Sequence, residues 1–81
     1  MYTVYIRQDF CPWCEKAKKL LTEKNIEFQT FTVNQNITKE ALREKMGVDE
    51  NFRLTVPQIF DTDGNLIGGY TELAKKFDPT Y

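Results

Sequence analysis

Residues 2–14, Tyr2-Thr3-Val4-Tyr5-Ile6-Arg7-Gln8-Asp9-Phe10-Cys11-Pro12-Trp13-Cys14, contain the change of period on which the fold turns. Tyr2 to Ile6 alternates aromatic and β-branched residues with few breaks, the pattern of a strand, and the pattern changes abruptly at Cys11. From Pro12 onward Trp13, Ala17, Leu20 and Leu21 recur at helical spacing, while Lys16, Lys18, Lys19 and Lys24 fill the other positions as a wet face. The cysteine pair therefore falls on a strand-to-helix corner, and an amphipathic helix runs from it to about Lys24.

That placement gives the spacing a mechanism. With Cys11 at the N-cap, Pro12 occupies the first helical position, where its missing N–H is harmless and its fixed φ suits the helix. A thiolate at Cys11 then accepts the unpaired N–H groups of Trp13 and Cys14 and sits at the positive end of the helix dipole, which lowers its pKa. Helix-terminus effects reach about 2 kcal/mol, or roughly 1.5 pKa units, and cysteines at such corners titrate at about 3.5 to 7.5. Cys11 is the expected nucleophile. Cys14, one turn on and less exposed, is the expected resolving thiol. Lys16, Lys18 and Lys19 add a weak positive field that Asp9 opposes.

Outward from the corner, Glu27 to Val33 alternates again with apolar atoms on both faces, which predicts a largely covered strand parallel to the first. Thr38 caps a second helix with Glu40 in its first turn, Ile37, Ala41, Leu42 and Met46 as its buried stripe and Gly47 as its stop. After a polar connector, Asp49 to Leu54, come short strands at Gln58 to Phe60 and Asn65 to Ile67, joined through the turn formers Asp61-Thr62-Asp63-Gly64. Gly68-Gly69 then permits unusual backbone angles, and Tyr70, Leu73, Ala74 and Phe77 mark a last helix ended by Asp78-Pro79. The order implies an α/β fold with a four-stranded mixed sheet and three helices, since the parallel pair needs a right-handed crossover and the hairpin adds antiparallel strands.

At 81 residues and 41% hydrophobic, the chain supports one core, so residues 1–81 are expected to form a single domain. Eleven basic residues balance twelve acidic ones without a block of like charge, which argues against a nucleic-acid partner. No charged leader precedes an apolar core and no apolar run approaches the roughly 20 residues that span a bilayer, so no membrane association and a cytoplasmic location are expected. In a reducing compartment, two cysteines with two residues between them are more readily catalytic or metal-binding than structural. Zinc requires about four ligands and this chain has two cysteines and no histidine, so no metal is expected. The missing histidine also excludes a Cys-His hydrolase. An inert pair of core thiols stands as an alternative, against which Pro12 and Trp13 at a helix start weigh.

Three motifs in one order, Cys11-Pro12-Trp13-Cys14, Thr55-Val56-Pro57-Gln58 and Gly68-Gly69-Tyr70-Thr71-Glu72, closely resemble the dithiol glutaredoxins of bacteria and their viruses over essentially the whole chain. Those relatives carry Cys-Pro-Tyr-Cys, Thr-Val-Pro-Gln-Ile-Phe and Gly-Gly-Tyr-Thr-Asp at these places. The resemblance implies a thioredoxin-like fold and a glutathione-dependent thiol-disulfide oxidoreductase, with glutathione as co-substrate. It implies a cis Val56-Pro57 bond that turns the N–H and C=O of Val56 toward the cysteine of glutathione, which pairs there like an added antiparallel strand. It places the γ-glutamyl carboxylate at the start of the last helix, near Gly69, Tyr70, Thr71 and Glu72, in keeping with helix N-termini as anion sites.

The same resemblance makes basic residues such as Arg7 and Arg53 the candidates for the glycine carboxylate, but the sequence departs from the family pattern at Gln8, where many relatives have Lys or Arg. Trp13 and Glu72 replace the usual Tyr and Asp. Implied partners are disulfide-bearing proteins, ribonucleotide reductase among them, and the chain is expected to be a monomer serving redox homeostasis. Two other functions stay open on sequence grounds. One is a redoxin reduced by thioredoxin reductase, which the Gly-Gly-Tyr-Thr-Glu segment argues against. The other is an iron-sulfur cluster carrier built from two chains through Cys11, which Pro12 argues against.

Overall fold

The computed structural model describes residues 1–78. The elements run β1 (Tyr2–Ile6), α1 (Pro12–Glu23), β2 (Phe28–Thr32), α2 (Lys39–Met46), β3 (Gln58–Phe60), β4 (Leu66–Gly68) and α3 (Tyr70–Phe77). The four strands form one mixed sheet in the order β2-β1-β3-β4. β1 pairs in parallel with β2, Tyr2 opposite Phe28 and Ile6 opposite Thr32, and antiparallel with β3, Tyr5 opposite Gln58. β4 returns antiparallel to β3 with a register shift between Ile59 and Phe60.

Both faces of the sheet are covered. On one, α1 and α3 send Ala17, Leu21 and Leu73 onto Val4 and Ile59, all completely buried. On the other, Leu42 of α2 meets Tyr5, Phe60 and Val33. Strand alternation explains the division: Val4 and Tyr5 are neighbours in β1 and point to opposite faces, as Ile59 and Phe60 do in β3. The fold is therefore the expected four-stranded mixed sheet flanked by three helices.

Four expectations are corrected. β2 is an edge strand, not a covered one, with Gln29 and Thr30 exposed, because among the described residues it ends the strand order and pairs with β1 alone. Ala41 is exposed rather than part of the α2 stripe, since it lies one residue, or about 100° around the helix, from Leu42. Trp13 leaves the apolar stripe of α1 altogether and is 51% exposed. The second hairpin strand is Leu66–Gly68, displaced one residue from expectation. Pro79, named as a stop signal for the last helix, lies outside the described residues; α3 itself ends at Phe77.

The caps follow their residue types. Thr38 Oγ1 accepts the Ala41 N–H at 3.0 Å, and Gly47 closes α2 in the left-handed region at φ 76°. Thr38→Ala is expected to lower stability by about 1 kcal/mol, read as a drop in urea midpoint with an unchanged slope. In the β3-β4 turn, the carboxylate of Asp61 accepts the N–H groups of Asn65 and Asp63, each at 2.9 Å, which holds its carboxyl below the usual range.

Candidate active site

The topology gathers four chain segments at one end of the sheet. β1 ends there and leads through residues 7–10 into α1. β3 is antiparallel to β1, so it begins there, directly after Pro57, and β4, antiparallel to β3, ends there and delivers Gly69 to the start of α3. β2 runs with β1, so its end and the following start of α2 come to the same edge.

Cys11 is the N-cap of α1, with extended backbone angles (φ −138°, ψ 94°) and Pro12 at the first helical position. Of the two amides expected at its sulfur, that of Cys14 donates to Cys11 Sγ at 3.2 Å. The two sulfurs are joined in a disulfide, with the Cα atoms 5.2 Å apart. Cys11 retains 6% of its surface and Cys14 2%, so what access exists is to Cys11. Among the described residues no group of three or more cysteine, aspartate or glutamate side chains is placed to hold a metal ion.

Val56-Pro57 is cis. Beside it the last helix opens on a backbone built for a tight approach. Gly68 has φ 121°, and a Cβ there would lie 2.8 Å from Glu72 Oε1, so only glycine is accommodated. Glu72 Oε1 in turn accepts the N–H of Gly69, the N-cap, at 2.8 Å, which is half of a capping box. The Tyr70 ring stands 5.7 Å from that of Trp13, at 41° between planes, and Lys16 Nζ lies 4.6 Å from the Trp13 centroid. Trp13 is thus the wall between the starts of α1 and α3, which accounts for its exposure.

Two adjoining hollows share Trp13, Thr55 and Val56. The smaller, of about 130 Å³, reaches over Pro57 to Gly69, Tyr70, Thr71 and Glu72. The larger, of about 650 Å³, extends the other way to Arg7, Lys39 and Arg53. Together they make one trough with a helix N-terminus at one end and, at the other, three cationic side chains against the single carboxylate of Asp9. Every candidate residue from the sequence borders this trough or the disulfide.

Arg7 has a second task that the sequence did not suggest. Its Nε and Nη2 donate to the carbonyl of Phe10, at 3.1 and 2.6 Å, and so tie down the loop that carries Cys11. Lys39, which sequence reasoning passed over, joins Arg7 and Arg53 at the cationic end. A signal was present: a lysine in the first turn of a helix opposes the dipole, so its position asks for another explanation.

Residues 1–67 match the family model described as glutaredoxin. The chain belongs to the glutaredoxin family. It is 41% identical over 80 residues to glutaredoxin 1 of Escherichia coli, an alignment covering 91% of this chain and 89% of the relative. Reduced Escherichia coli glutaredoxin superposes with a TM-score of 0.71 at 34% identity, over 99% of this chain and 98% of that one. A buckwheat glutaredoxin-glutathione complex superposes with a TM-score of 0.69 at 26% identity, over 96% of this chain and 69% of that one. This glutaredoxin therefore has the thioredoxin-like fold and is a thiol-disulfide oxidoreductase with a dithiol motif at Cys11 and Cys14. Among its described residues no helix is long and apolar enough to cross a membrane.

Proposed function

We propose that this glutaredoxin reduces protein disulfides and glutathione mixed disulfides with electrons from glutathione, Cys11 being the nucleophile and Cys14 the resolving thiol. The observation that carries the assignment is the Cys14 N–H directed at Cys11 Sγ, at the positive end of α1. In the reduced protein the same amide and dipole favour a thiolate at Cys11. That thiolate attacks one sulfur of the substrate disulfide, forming a mixed disulfide and expelling the other sulfur as a thiolate. Cys14, on losing its proton, attacks Cys11 Sγ, releasing the remaining substrate thiolate and closing the Cys11–Cys14 bond, so two electrons pass to the substrate. One glutathione then opens that bond to give glutathionyl-Cys11, and a second removes it as oxidised glutathione.

The trough supplies a seat for the tripeptide. Val56 offers its backbone to the cysteine of glutathione, and the amides opening α3 at Gly69, Tyr70, Thr71 and Glu72 receive the γ-glutamyl carboxylate. Trp13 and Tyr70 flank the middle, and Arg53, Lys39 and Arg7 face the glycine carboxylate. Glu72 at the α3 end suits the ammonium that accompanies the γ-glutamyl carboxylate, and this supports the orientation over the reverse. We assign the chain one domain, a monomeric state and a cytoplasmic role in redox homeostasis, with no metal; ribonucleotide reductase is a candidate protein partner on family grounds.

The test is the source of electrons. Turnover of hydroxyethyl disulfide is expected with NADPH, glutathione and glutathione reductase, and none when thioredoxin reductase replaces the last two. Turnover driven by the flavoenzyme alone would overturn glutathione dependence while leaving the dithiol chemistry intact.

A further inference from the structure

Gln58, the first residue of β3, is 5% exposed and is the one polar or charged side chain buried among the described residues. It stands opposite Tyr5 and shares its face of β3 with Phe60, so its side chain leaves the sheet on the apolar side that α2 covers. A carboxamide buried there costs stability unless its hydrogen bonds are met, and its Nε2 finds both acceptors on one residue. It donates to the Thr55 carbonyl at 2.8 Å and to Thr55 Oγ1 at 3.2 Å. The amide thus ties β3 to the residue on the far side of Val56 and Pro57.

That residue belongs to a stretch that its own main chain does not anchor. Among the described residues, no loop, turn or cap hydrogen bond between backbone groups involves residues 53–57, and none of these residues lies in a strand or helix. Free backbone is what the glutathione seat requires, since an N–H and C=O already paired within the fold could not pair with an incoming cysteine. The same freedom would leave the segment loose, and the Gln58 amide restrains it from the side that faces the core. A segment held in its binding shape before the ligand arrives loses less freedom on binding, so the restraint adds to affinity without touching the ligand.

We infer that Gln58 is a positioning residue of the glutathione seat: through Thr55 it holds the Val56 backbone where the cysteine of glutathione pairs with it. This rests on the glutathione-dependent reading and adds to it a residue that borders neither hollow of the trough. Loss of the amide weakens the seat and leaves the reactivity of Cys11 as it was.

The test follows turnover of a glutathionylated peptide by the full chain with glutathione, glutathione reductase and NADPH. Beside it runs single-turnover oxidation of the pre-reduced protein by hydroxyethyl disulfide, which carries no glutathionyl group. Gln58→Met keeps the length of the side chain and removes its hydrogen bonds. Thr55 is exposed, so its freed oxygens turn to water, and the urea midpoint should hold. The KM for the glutathionylated peptide is expected to rise about tenfold, equal to about 1.4 kcal/mol, with kcat within about twofold and the hydroxyethyl disulfide rate unchanged. Thr55→Val deletes the longer of the two bonds and should raise the same KM about threefold, whereas Thr55→Ser should not; this pair decides the matter if Gln58→Met fails to fold. An unmoved KM overturns the proposal, as does an equal loss in both reactions, which would make Gln58 a general support of the site. If the unaltered protein were oxidised by hydroxyethyl disulfide yet gave no turnover with glutathione, the glutathione-dependent reading would fail first, and the role of Gln58 with it.

Discussion

Cys11→Ser is expected to lower glutathione-coupled reduction of a small mixed disulfide by on the order of 10³-fold or more, whereas Cys14→Ser should retain it. The asymmetry follows from position. Cys11 Sγ receives the Cys14 N–H and the field of α1, and its surface is the more accessible of the two sulfurs. Cys14 lies inside the first turn and is 2% exposed; it is needed only when the mixed disulfide must be resolved from within. A glutathionyl group on Cys11 can be removed by a second glutathione without Cys14, so the serine variant loses the protein-disulfide route and keeps deglutathionylation. Alkylation of the reduced protein against pH gives an independent reading, with a midpoint expected below the ordinary thiol value of about 8.5. Equal activity of the two serine variants, or an alkylation midpoint at the ordinary value, would reverse or remove the assignment.

Much of this was legible before any coordinates because local and global signals agree at the corner that matters. The switch from strand to helix period at Cys11, the proline at the first helical position and the paired glycines before Tyr70 each fix backbone locally, and each lies where expected. What a single sequence did not carry is which side of an element meets which neighbour. Phe28, Thr30 and Thr32 against Gln29, Phe31 and Val33 look alike for a central or an edge strand, and only the place of β2 at the end of the strand order decides. Lys39 is one of many lysines until the end of β2 brings the start of α2 to the site. The clasp between Arg7 and the Phe10 carbonyl links residues three apart in a loop with no period at all. Trp13 misled for the opposite reason: its spacing from Ala17 and Leu20 is that of a core position, but it stands in the first turn, half exposed, against Tyr70 of α3.

That difference between Trp13 and Leu21 yields the largest expected change in stability. Leu21 is wholly buried with Val4, Ala17, Ile59 and Leu73, in the layer that seats α1 and α3 side by side on the sheet. Leu21→Ala removes that packing and leaves a cavity bounded by two helices and two strands that cannot readily close, at a cost of about 2 to 5 kcal/mol. A domain of this size holds roughly 4 to 12 kcal/mol in total, so the variant should unfold at a much lower urea concentration with an unchanged slope. Trp13→Ala removes a larger side chain, yet one half in water that touches Tyr70 and Lys16 at the rim, so its cost should stay near or below about 1 kcal/mol. Its effect belongs to the trough, as a several-fold rise in the KM for glutathione. If Trp13→Ala proved as destabilising as Leu21→Ala, the indole would be a core residue after all, and the wall that divides the two helix starts would have to be assigned to other side chains.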